Sequence, residues 1–370
     1  MTMSTSKPKA KSKPKTGEGS MGSEGRTADT ALAALYRQFS PLPSPVWWFA
    51  DEHIAGFALP PAQSDWQCFT NRCDIADQLR EGGYTTQLGD FDIPMDMAQP
   101  QTVCYRVSKE KALVHYIINQ ALVRLPVGGS LLLSGHKNDG LHNYAKKTAA
   151  LMGCSADIKK HDGAAYVATI IKQQAPSSLL DDSQYTLIRE IALVPQLFSK
   201  PGVFGWQKQD RGSALLIEYL PDFLSKFDSP PARVADLGCG YGFISVMAAQ
   251  CLPDAQWLLT DNNASAILAA EKNCSVHGLR SELVLADCAA GLQGPVDMVL
   301  CNPPFHQGFA VAGSLTDRFL AAAHRLLARQ GRALFVVNQF IPLERKALGL
   351  FSASEVLLEH DGFKLVCLQK

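Results

Sequence analysis

No Cys-x-x-Cys pair occurs in this chain, although ten cysteines are spread over its 370 residues. A structural zinc site needs clustered ligands, and a disulfide framework belongs to short secreted domains. The scattered thiols therefore read as reduced, packed as small hydrophobes, in a cytoplasmic protein with no metal. Net charge is missing too, since 35 Lys and Arg balance 35 Asp and Glu. That excludes a protein that coats RNA by bulk neutralisation of phosphate, while leaving room for a local basic face. No apolar run is long enough to span a membrane, and the first residues lack the apolar segment of a signal peptide.

What is present is material for two cores: 46% hydrophobic and 19% charged residues in a chain too long for one ordinary domain. Residues 1–30 differ from the rest. Lys7, Lys9, Lys11, Lys13 and Lys15 alternate there with small residues and prolines. Such a segment buries no apolar surface and is expected to be disordered, serving as a solubilising tail or as a basic tether for RNA. Two folded units are expected after it, over 31–175 and 176–370.

Strand and helix signals alternate in both units, which predicts α/β domains with parallel sheets wrapped by helices. In the first, Val46–Ala50, Trp66–Thr70 and Ser130–Ser134 read as buried strands, and Lys111–Leu125 as a helix. In the second, strands are expected at Arg233–Asp236, Gln256–Thr260, Leu283–Ala286, Asp297–Cys301 and Ala333–Val337. Helices are expected at Phe243–Cys251, Ala264–His277 and Thr316–Ala328. The halves echo one another. Pro126-Val127-Gly128-Gly129-Ser130-Leu131 matches Ala328-Arg329-Gln330-Gly331-Arg332-Ala333, His161-Asp162-Gly163 matches His360-Asp361-Gly362, and Trp66 matches Trp257. In one order, these matches suggest a duplicated domain. Only the second copy has a glycine-rich loop; at the corresponding place the first has Asp51-Glu52-His53-Ile54-Ala55-Gly56-Phe57. The first copy is therefore expected to be degenerate, a scaffold or substrate-binding unit.

The loop is Asp236-Leu237-Gly238-Cys239-Gly240-Tyr241-Gly242, after a strand and before a helix. Its glycines allow a tight turn and close backbone approach to a ligand. Their alternation differs from the Gly-x-Gly-x-x-Gly of nicotinamide enzymes, and the leading acid favours S-adenosylmethionine. Asp261 ends the next strand, where a carboxylate can accept both ribose hydroxyls; the alternative is an N-cap, a place Asn262 or Asn263 fills equally well. Asp287, after the third strand, either meets the adenine amino group or is a surface-turn residue. Asn302-Pro303-Pro304-Phe305 follows the fourth strand. Its prolines stiffen the turn, and the Asn302 oxygen with the Pro303 carbonyl can accept both protons of one planar amino group. Such a nitrogen is positioned for direct in-line transfer without a strong base, with Phe305 stacking on the ring that bears it. His306 either takes the departing proton or hydrogen-bonds the loop or a phosphate. Cys239 and Cys301 read as packing residues.

These motifs resemble class I amino-methyltransferases. Pro201-Gly202-Val203-Phe204, Asp210, Gly212-Ser213-Ala214-Leu215-Leu216 and the Phe-His extension are similar to the RsmC/RlmG family of bacterial ribosomal RNA guanine-N2 methyltransferases. The resemblance is clear over 184–370 and architectural over 31–175. It implies two tandem Rossmann-like class I methyltransferase domains, the N-terminal one degenerate and the C-terminal one catalytic. It implies S-adenosylmethionine as cofactor, lined by Asp236, Gly238, Gly240, Gly242, Asp261 and Asp287. Phe204 and Asp210 would close over its methionine end. Asn302, Pro303 and Phe305 would hold the guanine, with Pro304 and His306 beside it.

The expected activity is methylation of a guanosine N2 amino group in ribosomal RNA, with RNA or a ribosomal subunit as partner and the chain a monomer. Lys208, Arg211, Arg318 and Arg325 are candidate RNA contacts. The rival readings are N-methylation of adenine or of protein glutamine, which the same turn could serve, and a non-catalytic RNA-binding assembly factor.

Overall fold

The computed structural model describes residues 29–370 except 194 and 305–308, with backbone only for 309–314. Up to residue 28 the sequence-predicted tail lies outside the described residues, as do Phe305 and His306.

Runs such as Val46-Trp47-Trp48-Phe49 and Val299-Leu300-Cys301 have no polar face, so they can only be strands covered on both sides. They form the centres of two seven-stranded sheets. The first contains β1 (Val46–Phe49), β2 (Trp66–Thr70), β3 (Thr85–Leu88), β4 (Thr102–Arg106), β5 (Ser130–His136), β6 (Asp157–Lys160) and β7 (Ala165–Ile171). A short hairpin, β8 (Arg189–Ile191) with β9 (Leu197–Ser199), follows. The second sheet contains β10 (Arg233–Leu237), β11 (Gln256–Asp261), β12 (Arg280–Leu285), β13 (Val296–Cys301), β14 (Leu327–Asn338), β15 (Ala353–His360) and β16 (Phe363–Gln369). The strand orders are β3-β2-β1-β4-β5-β7-β6 and β12-β11-β10-β13-β14-β16-β15, one topology used twice.

The registers agree as well. Val46 pairs with Trp66 and Val234 with Trp257, so the two tryptophans are equivalent. Thr102 pairs with Ser130 and Met298 with Arg332, which aligns the two glycine-containing turns as their sequences suggested. The expected parallel sheets are in fact mixed: β7 runs antiparallel to β5 and β6, and β16 to β14 and β15. The His-Asp-Gly repeats mark the hairpin turns that reverse the chain. Gly163 and Ala164 have φ of 65° and 60°, Asp361 and Gly362 of 55° and 86°, the left-handed values a tight hairpin requires.

Helices α1 (Thr30–Tyr36), α2 (Cys73–Glu81), α3 (Lys111–Arg124) and α4 (Leu141–Leu151) belong with the first sheet. Helices α5 (Arg211–Leu224), α6 (Phe243–Ala249), α7 (Ala264–Val276), α8 (Phe309–Leu326) and α9 (Leu343–Lys346) belong with the second. One face of the second sheet packs Leu216, Leu220, Val246 and Ala270 against Val234 and Leu259; the other packs Phe319, Leu326 and Leu343 against Ala235, Val299 and Phe335. Each such buried apolar side chain contributes about 1.5–3 kcal/mol. The helix predicted over Thr316–Ala328 stops at Leu326, because Leu327 pairs with Val296 at the start of β14.

The domains touch along the carboxyl ends of their strands. Between them, buried Asp90 accepts hydrogen bonds from Lys200, from Ser265 Oγ and from Tyr185 Oη at 2.7 Å. Trp206 Nε1 donates to Glu110 Oε2 at 3.1 Å.

Candidate active site

The carboxyl ends of parallel strands are where open α/β sheets bind ligands, and here both sheets turn that edge towards one cleft of about 1170 Å³. On the second domain's side the cleft is lined by Gly238 and Gly240 after β10, Asp261 at the end of β11, Asp287 after β12, and Asn302, Pro303 and Pro304 after β13. Phe204 and Asp210, from the segment leading into α5, also line it. Five separate stretches of chain thus place sequence-predicted residues on one surface.

The glycine loop is held by its neighbours. Gly238 and Cys239 donate their N–H groups to Thr260 O at 2.8 and 3.0 Å. Gly240 donates to Asp261 Oδ2 at 2.9 Å, and Asn263 N–H to Asp261 Oδ1 at 2.9 Å. A Cβ added at Gly240 would meet nothing within 4 Å, so this turn leaves open space for a ligand. Asn263 caps α7, leaving Asp261 to the loop and the cleft. Burial raises the Asp261 carboxyl pKa, while the Gly240 and Asn263 N–H groups and Arg72 pull it back. Asp287 is ion-paired with Arg318, which lines the cleft beside it.

Two expected cofactor residues do not line the cleft. Asp236 is fully buried; its Oδ2 accepts from Ser245 Oγ at 2.6 Å, inside the packing against α6. Its Oδ1 has no hydrogen bond among the described residues, and burial pushes its pKa up to about 7. Gly242 begins α6 with φ 81°, and a Cβ there would sit 3.5 Å from Ala270 of α7. That distance is ordinary contact, and it is the left-handed φ that calls for glycine there. Burial likewise raises the thiols of Cys239 and Cys301, which suits packing and not nucleophilic chemistry.

Asp210, expected at the methionine end of the cofactor, lines the cleft and also bonds the Asn302 side chain. Its Oδ2 caps α5 by accepting from Ser213 N–H at 2.8 Å and also accepts from Asn302 Nδ2 at 2.7 Å. Sequence reasoning missed Ser213, whose Oγ accepts from the same Nδ2 at 2.9 Å. It also missed the opposite wall: Glu52, Phe57, Arg72, Asp74, Lys109 and Glu110 of the first domain line the cleft. The matched positions of the duplication held the signal. Thr102 is equivalent to Met298, so Arg106 stands where the second copy has Asn302. It is ion-paired with Asp29 and Asp139, so this position of the first domain is filled by internal bonds.

Among the described residues no group of three or more His, Cys, Asp or Glu is placed to hold a metal. Among them, too, no helix is long and apolar enough to cross a membrane.

Residues 195–367 match the family model of the methyltransferase small domain. The ribosomal RNA small subunit methyltransferase C of Pseudomonas paraeruginosa is 31% identical over 70% of this chain and 75% of its own length. That of Stutzerimonas stutzeri is 29% identical over 73% and 80%. The 16S rRNA N2 methyltransferase (RsmC) of T. thermophilus, solved with AdoMet and guanosine, has the same fold, with a TM-score of 0.75 at 22% identity over 93% of this chain and 92% of that one.

Proposed function

Because this chain belongs to the ribosomal RNA small subunit methyltransferase C family, we propose that it methylates the exocyclic N2 amino group of a guanosine in small-subunit ribosomal RNA. S-adenosylmethionine supplies the electrophilic methyl group. The observation that carries the reading is the meeting, in one cleft, of an open glycine turn, the Asp261 carboxylate and the Asn302-Pro303 edge.

The residues present fit that cofactor. Gly238 and Gly240 leave backbone room, Asp261 can accept from ribose hydroxyls, and Asp287 can accept from an adenine amino group. Phe204, 58% exposed on the cleft, offers an aromatic face. Asn302 Oδ1 and the Pro303 carbonyl accept the two hydrogens of the target amino group and fix its nitrogen. Phe305 stacks on the base, and Pro304 and His306 border it. Positioning then does most of the catalysis, since the nitrogen becomes acidic as it gains the methyl and releases its proton to water. A guanosine in a duplex must leave its stack before it can enter a cleft between two domains.

On this reading residues 31–175 form a degenerate unit that helps hold RNA, and 176–370 carry the linker and the catalytic domain. The protein works in the cytoplasm as a monomer on ribosomal RNA or an assembling subunit. The test is methyl transfer from labelled S-adenosylmethionine to naked small- and large-subunit RNA and to isolated subunits, followed by nucleoside analysis. N2-methylguanosine from wild type and none from Asn302→Ala is expected. Methyladenosine or methylglutamine as the product would overturn the target, and no transfer to any substrate would overturn the activity.

A further inference from the structure

We propose that Asp210, Gly212 and Ser213 form a cradle that locks the Asn302 side-chain amide in one orientation, so that it presents only an acceptor to the substrate. The proposal rests on the methyl-transfer reading above and names the residues that set its selectivity for an amino target.

The argument starts from hydrogen-bond valence. A carboxylate accepts and cannot donate, so the Asn302 atom that faces Asp210 Oδ2 at 2.7 Å must be its nitrogen. Nδ2 has two hydrogens. The second goes to Ser213 Oγ at 2.9 Å. Both are therefore committed, and Oδ1, which has no hydrogen bond among the described residues, remains for the cleft. A primary amide free to turn would offer donor and acceptor about equally and would accept a keto oxygen as readily as an amino group. The cradle removes that ambiguity.

Asp210 is itself fixed. The same Oδ2 caps α5 through the Ser213 N–H at 2.8 Å, so a helix of 14 residues stands behind it. Asp210 Oδ1 has no hydrogen bond among the described residues, so the carboxylate can still meet a cofactor ammonium as the family resemblance implies. Gly212 explains why the cradle can close. A Cβ at this position would lie 3.2 Å from Asp210 Oδ2, 3.4 Å from Asn302 Nδ2 and 3.1 Å from the Phe363 ring. Those distances are tight enough to push the pair apart. The spacing Asp-x-Gly-Ser thus sets acceptor, clearance and acceptor around the Asn302 amide. Asp210 and Ser213 are positioning residues, acting on the substrate through Asn302.

The test uses the full chain and the RNA that wild type methylates. Ser213→Ala is expected to lower kcat about three- to tenfold with KM for S-adenosylmethionine unchanged. Asp210→Ala removes the acceptor that holds Nδ2 and should lower kcat by at least about tenfold, and Asp210→Ala with Ser213→Ala, which frees the amide completely, should lower it further than either alone. Asn302→Asp sets two carboxylates against each other and should be nearly inactive. Wild-type kcat in both Ser213→Ala and Asp210→Ala overturns the cradle. Inactive wild type would instead sink the methyl-transfer reading. The cradle is then read from spectra of asparagine-labelled protein. The Asn302 side-chain amide, identified by its absence in N302D, should exchange slowly in wild type and faster in Ser213→Ala; an amide exchanging like exposed asparagines overturns it.

Discussion

Arg72 of the first domain and Asn263 of the second face each other in an antiparallel bridge, and they hold equivalent places in the two sheets. Each lies six residues beyond its equivalent tryptophan, Trp66 or Trp257. The bonds around them repeat the equivalence. Cys73 N–H donates to Asn262 O at 2.9 Å, and Ala264 N–H donates to Asn71 O at 2.7 Å. Asn262 Nδ2 donates to Asp74 at 3.2 Å, and Asn71 Nδ2 donates to Ser265 Oγ at 3.4 Å. This is a local two-fold axis, the self-complementary contact that a symmetric dimer would make, here within one chain. It sets carboxyl edge against carboxyl edge and so makes one cleft from two sheets.

The two backbone bonds of that axis can be removed singly. Cys73 and Ala264 are the first residues of α2 and α7, where proline keeps the helix because its missing N–H has no intrahelical partner. The residues before them are extended, at φ −121° and ψ 128° for Arg72 and φ −105° and ψ 118° for Asn263, which proline tolerates in its predecessor. Cys73→Pro or Ala264→Pro should each lower unfolding free energy by about 1–3 kcal/mol by stranding a carbonyl at the interface. Denaturant melts of the two variants check this. Wild-type midpoints in both would show that the axis adds nothing to stability.

Much of this was legible in the sequence because repetition carries information even where motifs have decayed. Trp66, the paired glycine turns and the His-Asp-Gly hairpins gave the duplication, and the glycine loop with Asn302-Pro303-Pro304 gave the site edge. The reversed direction of β7 and β16 was not legible, since a buried strand reads alike in either direction. The roles of Ser213 and Gly212 were not legible either. They sit about ninety residues from Asn302, and only the helix start brings them to it. Asp236 and Gly242 were assigned to the cofactor because they border a ligand loop, but Asp236 is buried against Ser245 of α6 and Gly242 is the N-cap of that helix.

Lys200 and Asp90 form an ion pair with side chains only 3% and 9% exposed, joined by Tyr185 and Ser265. Removing one member of such a pair leaves a buried charge without its partner. Lys200→Met alone should therefore cost about 3–5 kcal/mol, and Asp90→Leu a similar amount. The double variant should cost clearly less than their sum, because neither charge is then stranded. A double-mutant cycle in urea measures the coupling; additive losses would mean that the two groups act independently.

Asp236 predicts a pH dependence. Its carboxyl titrates at about 7 in the folded chain because burial disfavours its charged form, against 3.8 ordinarily. Between those values the folded state binds a proton that the unfolded state does not. The stabilisation is therefore complete below about pH 4, declines as pH rises towards 7, and is gone above it, with a slope of at most about 1.4 kcal/mol per pH unit from this group. Asp236→Asn, which cannot ionise, should flatten the profile in that window. Unfolding measured at several values from pH 4.5 to 7.5 decides it, and an unchanged slope would show that Asp236 is not the titrating group.

Asp261 has two tasks that a substitution can separate. Its oxygens anchor the Gly240 and Asn263 N–H groups, and on the proposed function they also meet the cofactor ribose. Asp261→Ala should weaken S-adenosylmethionine binding about 10- to 100-fold, equal to about 1.4–2.7 kcal/mol, the range of one charge-assisted hydrogen bond. Burial raises the Asp261 pKa, so wild-type affinity should begin to fall at a higher pH than an ordinary carboxylate would give, and Asp261→Asn should lose that fall. Calorimetry on both variants reads the two effects. Wild-type affinity in Asp261→Ala would place the ribose elsewhere and leave Asp261 as a loop anchor. A weakened but still pH-dependent Asp261→Asn would assign the titration to another acid in the cleft.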